Sequence, residues 1–135
     1  MARILILDDD FELSLGWRGA LAARGHSVDL AYSSSEAVVY ARQTDYDLYV
    51  IDLILQSHSA LNDSGRLLLA HLRKEKSQKE IGACVIGISG LDTYSSVSAA
   101  QMLFDAFGVH HFLPKPFTPE ELADLSSALL SAFHS

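Results

Sequence analysis

The chain has 135 residues, is 49% hydrophobic and 20% charged, and carries a formal net charge of −7. This length suits one compact domain, and the composition supports a buried core and argues against disorder. The acidic surplus argues against binding duplex DNA or an anionic membrane through bulk charge.

The first apolar run, Ile4–Leu7, leads straight into Asp8, Asp9 and Asp10. Neither a basic region nor a long apolar stretch precedes it, so no signal peptide is expected. No later run approaches the ~20 apolar residues that a membrane span needs. The expectation is a soluble, cytoplasmic protein. Phe11–Arg24 has a helical pattern, and Gly25 follows it where a left-handed cap suits glycine. Val28–Ala31 is a second strand. Ser33–Ser34–Ser35–Glu36 fits a capping box that opens a helix over Glu36–Gln43. Leu48–Leu53 is a third strand and contains Asp52. The widest irregular stretch comes next, Gln56–Ser64, polar and small, with a length that points to a role or to mobility.

Gly65–Lys76 is again helical. The fourth strand, Cys84–Ile88, is followed by Ser89. Cys84 is the single cysteine, so neither an internal disulfide nor a cysteine-based zinc site is available, and its apolar setting suits a buried, inert thiol. Thr93–Phe107 is helical and is closed by Gly108. Val109–Leu113 is the fifth strand, ending in Pro114–Lys115–Pro116–Phe117. Thr118–Pro119–Glu120–Glu121 is a second capping box, with proline at the first helical position, and it opens Pro119–Phe133.

Most of these strands are apolar without a polar alternation, as in strands covered on both faces. Five successive β-α units call for a parallel sheet with helices on both faces and right-handed crossovers. There is no repeat, low-complexity segment or linker, so residues 1–135 are expected to form one domain.

In open α/β sheets, ligands bind beyond the carboxyl ends of the strands. Those ends carry Asp8, Asp9 and Asp10, then Asp52, then Ser89, then Lys115. Carboxylates ~4 Å apart repel by roughly 1 kcal/mol in water and roughly 4 kcal/mol near a protein surface, which solvent, a cation or a proton must offset. Mg2+ favours oxygen ligands in an octahedron, with one or two carboxylates plus waters and phosphate oxygens. Asp9 and Asp52 can bind it directly and Asp8 through a water. A carboxylate can also attack phosphorus, and phosphoryl transfer then needs charge neutralisation on the equatorial oxygens. The metal, the Lys115 ammonium and the Ser89 hydroxyl can each take one oxygen.

Simpler roles compete. Asp10 suits the start of the first helix, where its charge meets the helix dipole. Asp8 and Asp9 can be caps, and Asp52 and Ser89 turn residues. Gly87–Gly90 lacks the final glycine of a nucleophile elbow, which excludes an esterase of that type. His110 and His111 begin the fifth strand, at the rim opposite the acids, and His26, His58, His71 and His134 are scattered, so no histidine metal site is expected. Phe112 is a core aromatic or a moving one. Val97, Phe104 and Phe107, with Met102 and Leu103 elsewhere on the same helix, make either a broad core face or a partner surface.

The acidic pair after strand one, Asp52 ending "YVIDL", Ser89 after "VIGI" and the "PKPF" of Pro114–Phe117 match in order and strand position. Together they resemble a two-component response-regulator receiver domain of the stand-alone type, over essentially the whole chain. The resemblance implies a flavodoxin-like (βα)5 fold, with a five-stranded parallel sheet in the order 2-1-3-4-5. It implies that Asp52 is the phosphoacceptor, with Mg2+, or Mn2+ in its place, held by Asp8, Asp9, Asp52 and the backbone carbonyl of Ile54. Ser89 becomes the switch hydroxyl, Phe112 the switch aromatic, and Lys115 the conserved-type lysine of the family, with a cis peptide before Pro116. The implied donor is a histidine kinase or a histidine phosphotransfer protein. The implied output is an unknown protein target docked on the fourth helical segment, fifth strand and fifth helical segment, by a monomer or weak homodimer that contacts neither nucleic acid nor membrane.

Three features depart from the family pattern: Gln56 stands where a proline is usual, Gly65 comes later than the usual glycine, and the helix before Gly108 is long. Two other functions stay open. A haloacid-dehalogenase-like phosphatase would use the D-x-D spacing of Asp8 and Asp10, but leaves Asp52 unexplained. A receiver-like docking module would act without phosphorylation. Ile54 and Leu91 follow Asp52 and Ser89 by two residues, and in receivers these places border the path of the attacking water. Both are apolar, so slow self-dephosphorylation is expected.

Overall fold

A computed structural model describes residues 2–52, 68, 71–72, 84–89, 111–114 and 116–133. Five strands form one parallel sheet: β1 (Arg3–Leu7), β2 (Ser27–Ala31), β3 (Leu48–Asp52), β4 (Cys84–Ser89) and β5 (His111–Pro114). Their order is β2-β1-β3-β4-β5, the flavodoxin-like order. Among the described residues, helices α1 (Phe11–Ala22), α2 (Ser34–Gln43) and α3 (Pro119–Phe133) accompany them.

The two-residue period of a strand sends alternate side chains to opposite faces. Ile4, Ile6, Leu48, Val50, Ile86 and Ile88 pack with Trp17 and Leu21 of α1 and Leu122, Ala123 and Leu130 of α3. Leu5, Leu7, Tyr49, Ile51 and Val85 pack with Ala37 and Ala41 of α2 on the other face. Leu68 and Leu72, four apart and helical, join that second cluster. Both faces of the sheet are therefore covered, which is why its strands read as continuous apolar runs. Burying each such aliphatic side chain contributes ~1.5–3 kcal/mol. The rest of the expected helix over 65–76, the loop over 56–64 and the expected helix over 93–107 with Gly108 lie outside the described residues.

Local chemistry sets the helix ends. The Asp10 carboxylate accepts from the Leu13 N–H at 3.1 Å, so Asp10 caps α1, as its position predicts. The pattern predicts helix through Arg24, but α1 ends at Ala22. The Arg24 N–H bonds to the Leu21 carbonyl three residues back, and Gly25 turns the chain at a φ of 87°. Only glycine takes that left-handed angle without strain. At α2, the Ser33 hydroxyl accepts from the Glu36 N–H at 3.2 Å, and Glu36 accepts in turn from Tyr32 at 2.7 Å. The capping box opens the helix at Ser34, two residues before the apolar pattern starts. At α3, Thr118 and Glu121 exchange backbone N–H bonds of 3.0 and 3.4 Å, the reciprocal capping box expected there. Among the described residues, no helix is long and apolar enough to cross a membrane.

The amino-terminal edge of the sheet holds a titratable clasp. The Ala2 N–H donates to His26 Nδ1 at 3.3 Å, and the Arg3 N–H donates to Asp47 at 2.9 Å. Partial burial, then the charge of the chain's amino terminus, then Arg24, hold the His26 pKa below 6.5. Its folded value is therefore below its unfolded one, so its contribution is complete above pH 6.5 and is lost as the pH falls through the folded value. Solvent screens the group, so the effect is under roughly 1 kcal/mol. The melting temperature of the protein is expected to fall as the pH drops below 6.5. His26→Gln, which keeps an acceptor but does not titrate, should flatten that fall in a calorimetric pH series.

Candidate functional site

Parallel register brings the carboxyl ends of the strands to one rim. Leu7 pairs with Ala31 on one side and Ile51 on the other, Asp52 pairs with Ile88, and Ser89 pairs with Pro114. The residues just past Leu7 and Ile51 are thus neighbours on adjacent strands. Asp8 is held there at both backbone and side chain. Its N–H donates to the Ala31 carbonyl at 3.1 Å, and its Oδ1 accepts from the Asp10 N–H at 2.8 Å.

Asp8, Asp9 and Asp52 each offer a carboxylate oxygen, and these oxygens lie within 4.8 Å of one another. Asp8 is fully buried, Asp52 is 2% exposed, and Asp9 is half-buried. At that separation and an effective dielectric of ~20, each pair of negative charges repels by roughly 3 kcal/mol. Asp9, open to solvent, gives access to the two buried acids behind it. A hard divalent cation fits this donor set: three carboxylate oxygens converge, and neither sulfur nor imidazole joins the cluster among the described residues.

The structure therefore joins three of the residues that the sequence singles out, Asp8, Asp9 and Asp52, and separates a fourth. Asp10 is turned away to cap α1. Ser89 ends β4 and Phe112 lies within β5, each as strand backbone, with Ser89 on the same rim as Asp52. Lys115, Ile54, Leu91, Gln56 and Gly65 lie outside the described residues. His111 is exposed at the start of β5, away from the acids, and His26 sits at the opposite edge of the sheet.

Two aromatic contacts flank this rim, and the sequence does not announce either. Phe11, exposed at the start of α1, meets Tyr32 with ring centroids 5.5 Å apart. Trp17 stacks on Phe117, with centroids at 4.9 Å and planes 16° apart. Both join segments distant in the chain, so no local pattern signals them.

Comparison with known proteins agrees with this geometry. A family model described as the response regulator receiver domain matches residues 4–126. Response regulator MprA of Mycobacterium avium is 31% identical over 128 residues, which cover 95% of this chain and 50% of that protein. The transcriptional regulatory protein DltR of Streptococcus agalactiae is 26% identical over 120 residues, 89% of this chain and 48% of that one. The chain spans about half the length of the curated relatives it matches. Among solved structures, a two-component response regulator from Clostridium difficile superposes with a TM-score of 0.79, at 25% identity and with both chains fully covered.

Proposed function

The chain belongs to the response regulator receiver domain family, and on that premise we propose that it accepts a phosphoryl group on Asp52 and passes the signal on by changing which protein it binds. The observation that carries this reading is the meeting of Asp8, Asp9 and Asp52 within 4.8 Å at the carboxyl rim of the sheet.

In this reading Asp8, Asp9, Asp52 and the carbonyl of Ile54 hold Mg2+, or Mn2+ in its place. When bound, the cation neutralises the acidic cluster and the charge that gathers on the phosphoryl oxygens. An oxygen of Asp52 attacks the phosphorus of a phosphohistidine on a histidine kinase or histidine phosphotransfer protein. The new O–P bond forms as the P–N bond breaks, and the donor imidazole leaves with the bonding pair. Lys115 and Ser89 each contact a phosphoryl oxygen. Ser89 moves toward the new group, Phe112 follows, and the changed surface comprises residues 93–107, β5 and α3. Phosphorylation biases an equilibrium between two arrangements of this surface. The target is a protein, bound by a monomer or weak homodimer, without direct contact to nucleic acid or membrane.

The phosphatase reading loses its second acid, because Asp10 caps α1 and stands apart from the three-acid cluster. A receiver that docks without phosphorylation is distinguished by experiment. A phosphorylated histidine phosphotransfer domain, mixed with the protein and Mg2+, is expected to give it a hydroxylamine-sensitive label that chelation of the cation prevents. Labelling that is indifferent to the chelator, or no labelling at all, overturns the proposal. The apolar Ile54 and Leu91 leave no side-chain hydrogen bond to hold an attacking water. The isolated acyl phosphate should accordingly decay over hours, and loss within seconds contradicts that role for them.

A further inference from the structure

Asp8 and Asp9 lie on the short link between β1 and α1. Their cluster with Asp52 works against itself, because like charges within 4.8 Å push that link away from the end of β3. Contacts with the end of β2 oppose the push. The Asp8 N–H donates to the Ala31 carbonyl, the Asp10 N–H donates to Asp8, and the Ser14 N–H donates to the Asp10 carbonyl.

A ring contact adds a second tie between the same two segments. Phe11 directly follows Asp10, and Tyr32 directly follows Ala31. Their centroids are 5.5 Å apart and their planes are tilted by 36°, within the range where aromatic pairs attract. Asp9 and Asp10 are thus bracketed, by Asp8 on Ala31 and by Phe11 on Tyr32. The two rings are not equivalent. Tyr32 is half-buried against the cluster that holds Trp17 and Leu21, and its N–H donates to Glu36 at 2.7 Å. Phe11 is 54% exposed and joins neither core cluster among the described residues. Tyr32 is the anchor, and Phe11 leans on it from the first residue of α1.

We propose that Phe11 and Tyr32 are positioning residues of the acidic site: their ring contact holds the Asp8–Asp9 link against β2 and so keeps those carboxylates beside Asp52 before a cation binds. This rests on the reading of the three acids as a Mg2+ site. Neither ring donates to the cation. A site whose ligands are already in place binds without first drawing them together.

The test is a Mg2+ titration of the whole chain, followed by backbone amide shifts in solution NMR, with no phosphodonor present. Phe11→Leu and Tyr32→Leu keep apolar bulk and remove the ring contact, whereas Phe11→Tyr and Tyr32→Phe keep it. Each leucine variant is expected to weaken Mg2+ binding on the order of tenfold, the low end of what supporting contacts around a metal contribute. The conservative variants should bind within about twofold of wild type, and the double leucine variant should lose no more than about twofold beyond either single one, because both break one contact. The Asp10 amide, which donates to Asp8, should exchange faster with solvent in the leucine variants. Their melting temperatures should fall further behind wild type with Mg2+ than without it, since loosened acids also repel less.

Mg2+ binding by Phe11→Leu equal to wild type overturns the proposal, and would leave the exposed ring to a docking role, which cation affinity does not sense. Losses that multiply in the double variant, or that the conservative variants share, overturn it as well. Should Tyr32→Leu fail to fold, Phe11→Leu decides, since that ring is mostly exposed. If wild type itself binds no Mg2+, the cation reading fails and this proposal fails with it. If wild type binds and the leucine variants match it, only this proposal fails.

Discussion

Asp52→Asn is expected to abolish the hydroxylamine-sensitive phosphate completely, and to raise the melting temperature of the cation-free protein. The first effect follows from the nucleophile. An amide oxygen of nearly the same shape carries no full negative charge and cannot form an acyl phosphate. The second follows from the site's own electrostatics. Asp52 is 2% exposed and faces two other carboxylates within 4.8 Å. Removing one charge relieves two like-charge repulsions of roughly 3 kcal/mol each at an effective dielectric of ~20, part of which returns as stability. Residues that serve chemistry at the expense of the fold commonly behave this way. A variant with no label but unchanged or lower thermal stability would show that the three acids do not repel as their separation implies.

The second large effect concerns the cation. Wild-type protein is expected to melt higher as Mg2+ is added, because a ligand that binds only the folded state stabilises it by mass action. Asp8→Asn should begin at a higher melting temperature than wild type and respond far less to Mg2+, with affinity lower by roughly one to two orders of magnitude as ligand charge is lost. The asparagine can still accept the Asp10 N–H that Asp8 Oδ1 accepts at 2.8 Å, so the start of α1 is preserved and the charge alone is tested. Asp9→Asn, at the half-buried entrance, should weaken Mg2+ binding at least as much. A melting temperature of Asp8→Asn that still rises with Mg2+ as wild type does would remove Asp8 from the cation site.

Much of this fold is readable in the sequence because local rules govern it. Ile4–Leu7 and Leu48–Ile51 are apolar without interruption because helices cover both faces of the sheet. Ser33 with Glu36, and Thr118 with Glu121, mark helix starts through bonds only three residues long. The candidate site is readable for a related reason. A parallel sheet places all its strand ends on one rim, so acids at the ends of β1 and β3 must approach one another once those strands pair.

Less readable features depend on tertiary contact. α1 stops two residues early because Gly25 turns the chain back toward β2. The Tyr46 hydroxyl donates to Asp29 at 2.7 Å, which ties the turn before β3 to the edge strand β2. Burial, then that hydrogen bond, pushes the Tyr46 pKa far above its usual 10.0. Arg24, just past the end of α1, and Asp124 of α3, 100 positions apart, meet at 2.6 Å. Trp17 of α1 meets Phe117, two residues before α3. No periodicity relates such partners; only the packing of α1 against the segment opening α3 brings them together.

The most direct test of the acyl-phosphate site is borohydride reduction of the labelled protein followed by peptide mass spectrometry. Borohydride converts an aspartyl phosphate to homoserine. Homoserine is expected at position 52 alone, formed only when divalent cation is present during labelling. Homoserine at position 8 or 9, or a label that leaves position 52 as aspartate, would contradict it.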